Sequence, residues 1–364
     1  MTAAEHEAVS LFKEVPAVKR ENWIDACRFF AIFVIMATHF LATFRPEALA
    51  LWERMPSRLL LGGLTGKMAV AFFFVVLGYF ASAPRSFDAR SFAAYALRRY
   101  GQFAFFVFAV TLCYIVGCYG VTWLFHLAEG EVLRVISDGP RYNLIYLLRD
   151  AFLFENNYND TLWCMRQLFI ASLLCRLLGY LPERLNTAAR FLIAAAVILC
   201  AVRLGSRWVW LGTAALGYVL RLLLDRAKDR PRLRSPAALW LLFLAAVALI
   251  KAPVSEETRP LLLYSLQSVG TFLLLFVLFH ADFAQRLLAA RPFPWLGRIS
   301  MGLFVAHTLI NELLGSSVWA LLRTRIPEAP GLALCFALSL GLSVLAAWLL
   351  HRAYGWLVKR RRPA

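Results

Sequence analysis

Asp25-Ala26-Cys27-Arg28-Phe29-Phe30-Ala31-Ile32-Phe33-Val34-Ile35-Met36-Ala37-Thr38-His39 is the stretch on which the reading of this chain turns. The apolar run continues to Phe44, about 20 residues, enough to cross a bilayer as a helix. Three ionisable side chains therefore fall inside a membrane span or at its edge. At about 100° per residue, the eleven steps from Arg28 to His39 return to within about 20° of the same direction, with roughly 16 Å between them along the axis. Asp25 and Thr43 share that side of the wheel with Ile32, Ile35 and Met36.

Ionisable groups in a span face a protein interior or a wet cavity, which makes this stripe a functional-site expectation. A second reading pairs Asp25 with Arg28 at the membrane interface and leaves His39 as a neutral, hydrogen-bonded ring at the other end, where polarity is tolerated. The helix alone leaves both open.

Of the 364 residues, 61% are hydrophobic and 17% charged, and the mean hydropathy is +0.64. Soluble domains carry roughly 45–50% apolar residues, so a soluble globule is excluded. Apolar blocks near residues 24–44, 65–83, 102–124, 163–181, 188–202, 206–224, 236–252, 261–280, 298–320 and 331–354 predict an all-α, polytopic membrane helix bundle with about ten transmembrane helices. A cytosolic tail is expected over 1–22, a transmembrane domain over 23–356 and a basic cytosolic tail over 357–364. Residues 1–22 lack the features of a cleavable signal, so the first span is expected to act as its own insertion signal.

The net charge of +17 raises nucleic acid as a partner, and the placement of the cations answers it. With the N-terminus inside, 25 of the 39 Lys and Arg fall on the cytoplasmic side and 14 on the other. That asymmetry is the positive-inside pattern, so topology accounts for the basic excess, nucleic acid is not called for, and contact with anionic lipid follows as a by-product. The seven cysteines lie in or beside apolar spans without a CxxC pair, which gives neither a disulfide framework nor a metal site. No GxGxxG, Walker A or HExxH motif occurs, against nucleotide hydrolysis and zinc proteolysis.

Polar residues elsewhere add candidates. The connection from Arg45 through Pro46, Glu53, Arg54 and Pro56 to Lys67 is expected outside. Residues 125–161 form the longest extramembrane segment, also outside, with His126, Glu129, Glu131, Asp138, Arg141, Asp150 and Glu155-Asn156-Asn157-Tyr158-Asn159-Asp160, and with Leu144 to Phe154 suited to an amphipathic or re-entrant helix. Trp163 and Arg166 open the fourth span. The run Arg221 to Arg234 is the strongest cytoplasmic marker. The ninth span carries Arg298, Ser300, His307, Asn311 and Glu312, with His307 and Asn311 on one face. They converge with His39 if this helix packs on the first; an interhelical hydrogen-bond pair without catalysis is the other reading.

An arginine, ten residues and a histidine, preceded by Trp23-Ile24-Asp25 at the head of the first span, resembles the signature of the acyltransferase-3 family of integral membrane acyltransferases. Phe72-Phe73-Phe74 leading to Gly78-Tyr79, Arg98-Arg99 entering the third span, Leu162-Trp163 opening the fourth, and Ile299-Ser300 followed by His307 extend the likeness over nearly the whole chain. Leu77 departs from it, where the family usually has a serine. The resemblance implies a membrane enzyme moving an acyl group, acetyl above all, from acyl-CoA (acetyl-CoA) as co-substrate to a hydroxyl of a cell-envelope or secreted carbohydrate, with no permanently bound cofactor. His39 is then expected as the catalytic base, assisted by Arg28 and Asp25. Arg98 and Arg99 are expected to hold the donor's phosphates from the cytoplasm, and Trp163, His307, Asn311 and Glu312 to contact the acceptor or support the site. The implied place is the plasma (inner) membrane with both termini cytoplasmic. A transporter or exporter is the alternative, since ten spans with a polar stripe also describe a permeation path, although no internal repeat is found. A sensor or assembly scaffold is a third reading, if Leu77 marks a degenerate site.

Overall fold

Each apolar block of the sequence coincides with helix in the computed structural model, which describes residues 21–44, 65–81, 87–128, 144–155, 157, 161–181, 185, 187–227 and 235–360. The expected outer connection 45–64 and the stretches 129–143, 158–160 and 228–234 lie outside the described residues, as does most of the N-terminal tail. The helices are α1 (Asn22–Phe44), α2 (Gly66–Tyr79), α3 (Ala89–Ala128), α4 (Leu144–Leu153), α5 (Leu162–Gly179), α6 (Thr187–Arg203), α7 (Val209–Ala227), α8 (Pro236–Ile250), α9 (Pro260–His280), α10 (Asp282–Leu288), α11 (Phe293–Arg298), α12 (Ser300–Ile310), α13 (Ser316–Leu322) and α14 (Glu328–Arg360), with a π-helical turn, Asn311–Gly315, between α12 and α13. Every regular element among the described residues is helical.

Five of these helices are long and apolar enough to cross a membrane: Asn22–Phe44, Ala89–Gly117, Leu162–Gly179, Pro260–His280 and Glu328–Val358. Two more, Gly66–Tyr79 and Pro236–Ile250, are apolar but short, about 21 Å and 22 Å at 1.5 Å per residue, against a hydrocarbon core of about 30 Å. The ninth apolar block is divided by the π turn. Local chemistry sets several ends: the Thr65 hydroxyl accepts from the backbone N–H of Met68 at the start of α2, and Ser235 with Pro236 opens α8.

The chain forms two compact units, both drawn from the length expected as one transmembrane domain. Unit 1 comprises Met1–Trp23, Leu59–Arg99 and Gln167–Ala290. Its centre is the crossing of α2 and α7, where a Cβ on Gly78 would overlap the Ala214 carbonyl and a Cβ on Gly217 would overlap that of Val75. Only glycine permits two backbones to approach so closely, and close packing is what holds helices together where lipid removes the hydrophobic drive. The Arg221 guanidinium donates to the Ala81 carbonyl at the end of α2. The Thr213 and Ser268 hydroxyls, 2.7 Å apart, link α7 to α9.

Unit 2 comprises Ile24–Arg58, Tyr100–Arg166 and Arg291–Ala364. In it α1 runs alongside α11 and α12, with Phe30 5.0 Å from Phe293 between ring centroids and Asp25 against Gly297. The last long helix, α14, lies antiparallel to α12, Gly302 facing Ala347 and Gly315 facing Ser339. Leu144–Leu153 is helical: Leu147, Asp150 and Ala151 are buried while Leu144, Ile145 and Leu148 are exposed, so its outer face is apolar as well. Its end packs on α3, where the Tyr100 hydroxyl donates to the Phe152 carbonyl at 2.7 Å and the Phe154 ring lies 5.6 Å from Tyr100. Tyr100 is 28 residues from the end of α3, so the chain has come back about 40 Å along that helix.

Candidate active site

The polar stripe of α1 is turned inward along most of its length. Ile32, Ile35 and Met36 are at most 2% exposed, as is the Asp25 carboxylate at 2%. The Arg28 Nη1 donates to Asp25 Oδ1 at 3.3 Å, one turn away on the same helix, and its guanidinium remains partly exposed. Thr43 departs from the expectation: it lies on the exposed last turn, its hydroxyl donating to the His39 carbonyl. The stripe leaves the core where α1 ends.

Asp25 and His39 are each met by the same partner stretch. At Asp25 the backbone of α1 touches Gly297, whose missing side chain makes room for the Asp25 carbonyl. Ten residues further along that stretch the His307 ring sits 5.3 Å from the His39 ring, centroid to centroid. The convergence expected of the first and ninth blocks is thus present within unit 2. His307 is fully buried, and its Nδ1 lies 2.8 Å from the Phe304 carbonyl and 3.2 Å from that of Leu303. A carbonyl only accepts, so Nδ1 carries the proton and Nε2 presents its lone pair, 3.2 Å from the Thr308 hydroxyl. Both nitrogens of His307 are committed, while His39 is half-buried in the same contact.

Asn311 follows His307 by one turn and opens the π turn, a feature often found at functional sites. It is 2% exposed, and neither the oxygen nor the nitrogen of its side-chain amide has a hydrogen-bond partner. Glu312, beside it, is half-buried. Sequence reasoning missed Ser339 and Ser343 on α14, both buried and with unpartnered hydroxyls. Their signal was available: two serines four apart in an apolar block, on one helix face. Trp163, half-buried at the start of α5, is in unit 2 but contributes none of the contacts described for α1, α12 and α14.

Arg98 and Arg99 belong to unit 1. Arg98 is exposed and Arg99 half-buried, within electrostatic reach of Cys175 on α5. A third guanidinium, overlooked in the sequence, joins this end of α3: Arg176 stacks over the rings of Tyr95 and Tyr180, at 4.9 and 5.3 Å. Leu77 is half-buried beside Gly78, where the neighbouring residues serve the crossing of α2 and α7. Among the described residues no group of three His, Cys, Asp or Glu is placed to hold a metal ion.

Comparison with known families matches residues 21–348 to the acyltransferase-3 family, described as "Acyltransferase domain". No curated protein and no solved structure matches the chain.

Proposed function

The chain belongs to the acyltransferase-3 family, and on that premise we propose that it moves an acyl group, acetyl in the first instance, from acyl-CoA on the cytoplasmic side to a hydroxyl of a cell-envelope or secreted carbohydrate. The observation that carries the reading is the His39–His307 pair, two imidazoles 5.3 Å apart on α1 and α12, with α11, just before α12, meeting α1 at Asp25 and Gly297.

Transfer of an acyl group from a thioester to an alcohol requires a base for the hydroxyl proton and a polar, water-poor place for the reaction. His39 takes the proton; the freed oxygen attacks the thioester carbonyl, the carbon–sulfur bond breaks, and the proton passes to the thiolate leaving group. His307, held by Phe304 and Thr308, orients His39. The Asp25–Arg28 pair closes the other end of the stripe. Arg98 and Arg99 supply the guanidinium groups for the donor's phosphates, in keeping with their charge and their place at the head of an apolar block. A route through a transient acyl-imidazole on His39 uses the same residues. The enzyme is read as an integral protein of the plasma membrane with about ten crossings and both termini in the cytoplasm.

The test is turnover of radiolabelled acetyl-CoA by the purified full chain in lipid nanodiscs. His39→Ala is expected to remain folded and to lose at least about 100-fold in rate, the lower end of what a positioned acid–base group contributes. Unchanged turnover in this variant removes His39 from the mechanism. Passage of a solute across the bilayer without thioester cleavage favours the transporter reading.

A further inference from the structure

Helical serines and threonines can satisfy their hydroxyls on the carbonyl one turn back, and several of those described here do. Thr38 bonds Val34, Thr43 bonds His39, Thr213 bonds Val209, Ser268 bonds Tyr264 and Thr271 bonds Gln267. Ser339 and Ser343 do not, although they are 2% and 0% exposed. Nor does the Asn311 amide find a partner. Unpaired polar atoms inside a membrane protein are costly, and these three side chains lie where α14 packs on α12 and the π turn.

Contacts within unit 2 fix the geometry there. On one face of α12 and the π turn, His307 meets His39, and Gly315, eight residues on, meets both Phe44 and Ser339, with 3.1 Å from the Ser339 Oγ to where a Gly315 Cβ would sit. Asn311 lies midway on that face. Because α14 runs antiparallel, the register that opposes Ser339 to Gly315 brings Ser343, one turn on, level with Asn311. The Phe40 and Phe44 rings lie 4.6 Å apart and Phe40 meets Phe336 at 5.1 Å, so aromatic rings border this contact. The whole group lies at the Phe44 end of α1, on the far side of the histidine pair from Asp25 and Arg28.

Resting on the acyl-transfer reading above, we infer that Asn311, Ser339 and Ser343 form the acceptor subsite, recognising a neutral, polyhydroxylated ring and holding one hydroxyl against His39. An amide and two hydroxyls offer donors and acceptors together with no charge, which suits alcohol groups rather than phosphate or carboxylate. Aromatic rings beside them suit the C–H faces of such a molecule.

The experiment measures transfer of labelled acetate from acetyl-CoA to methyl glycosides of glucose, galactose, mannose and rhamnose by the full chain in nanodiscs. In the double variant Ser339→Ala/Ser343→Ala the KM for the glycoside rises at least ten-fold while the KM for acetyl-CoA moves less than two-fold. Its melting temperature holds or rises, because the removed hydroxyls have no hydrogen-bond partner among the described residues. Asn311→Ala raises the glycoside KM in the same direction. An unchanged glycoside KM, an equal rise for acetyl-CoA, or a melting temperature several degrees lower overturns the subsite and leaves the transferase reading standing. Absence of acetyl-CoA turnover in the unmodified chain with every glycoside overturns both.

Discussion

At the scale of single residues, the site is positioned by an atom that is missing. Gly297 permits α11 to lie directly on the Asp25 backbone, and that contact fixes the height at which His307 meets His39. A methyl group at 297 has backbone, not a flexible side chain, in its way, so the two helices must separate. Gly297→Ala is expected to destabilise the protein by about 1–3 kcal/mol, the usual cost of overpacking, and to lower the transfer rate more than the stability loss explains, since a misplacement of about 1 Å between reacting groups costs on the order of 100-fold. Thermal unfolding in nanodiscs and single-turnover rates measured on the same preparation separate the two effects. A rate that falls only in proportion to the unfolded fraction removes Gly297 from the positioning of the histidines.

At the scale of elements, α4 owes its helix to local spacing and its place to a distant partner. Leu144–Leu153 was legible as a helix from its apolar spacing, and the burial of Leu147 and Ala151 follows that spacing. Its partner was not legible, because nothing in a sequence says that Phe152 comes to rest beside Tyr100, 52 residues earlier. Tyr100→Phe keeps the ring and removes the hydroxyl that holds the Phe152 carbonyl; the expected loss is about 1 kcal/mol, seen as faster amide hydrogen exchange over 144–155 with little change in α12. Equal protection in both proteins means that the ring contacts of Phe154, kept in both, set the seat of α4 without the hydroxyl. The same contrast runs through the site. Arg28, His39 and His307 stood out because ionisable residues are rare in apolar blocks. Ser339 and Ser343 did not, because a serine in a membrane helix usually bonds its own backbone, and only the structure shows that these two do not. Thr43 was placed on the inward stripe by its angle alone, which carries no knowledge of where the neighbouring helix ends.

At the scale of the whole molecule, the direction of each helix tests how many times the chain crosses. If every apolar block crosses once, odd-numbered blocks run one way and even-numbered blocks the other. Within unit 1 the second, sixth and eighth blocks, α2, α7 and α9, run parallel, as Phe74 beside Trp210 with Ala81 beside Arg221, and Thr65 beside Gln267 with Tyr79 beside Phe279, require. The third and fourth blocks oppose each other there, Tyr95 bonding to Ser172 while Phe92 packs on Tyr180. Within unit 2 the first and ninth blocks run parallel and the tenth opposes the ninth, as Asp25 with Gly297, His39 with His307 and Gly302 with Ala347 set them. These directions are the ones that a single crossing per block requires. Under the proposed orientation, with the N-terminus in the cytoplasm, 25 Lys and Arg fall inside and 14 outside. A fluorescent protein fused after Ala364 or inserted at 228–234 is expected to fluoresce, and alkaline phosphatase inserted at 45–64 or at 253–258 to be active, since the first requires the cytoplasm and the second the oxidising side. A dark fluorescent fusion at Ala364 with active phosphatase both there and at 45–64 means an odd number of crossings, which places one of the ten blocks on the membrane surface, α12 with its π turn being the first candidate.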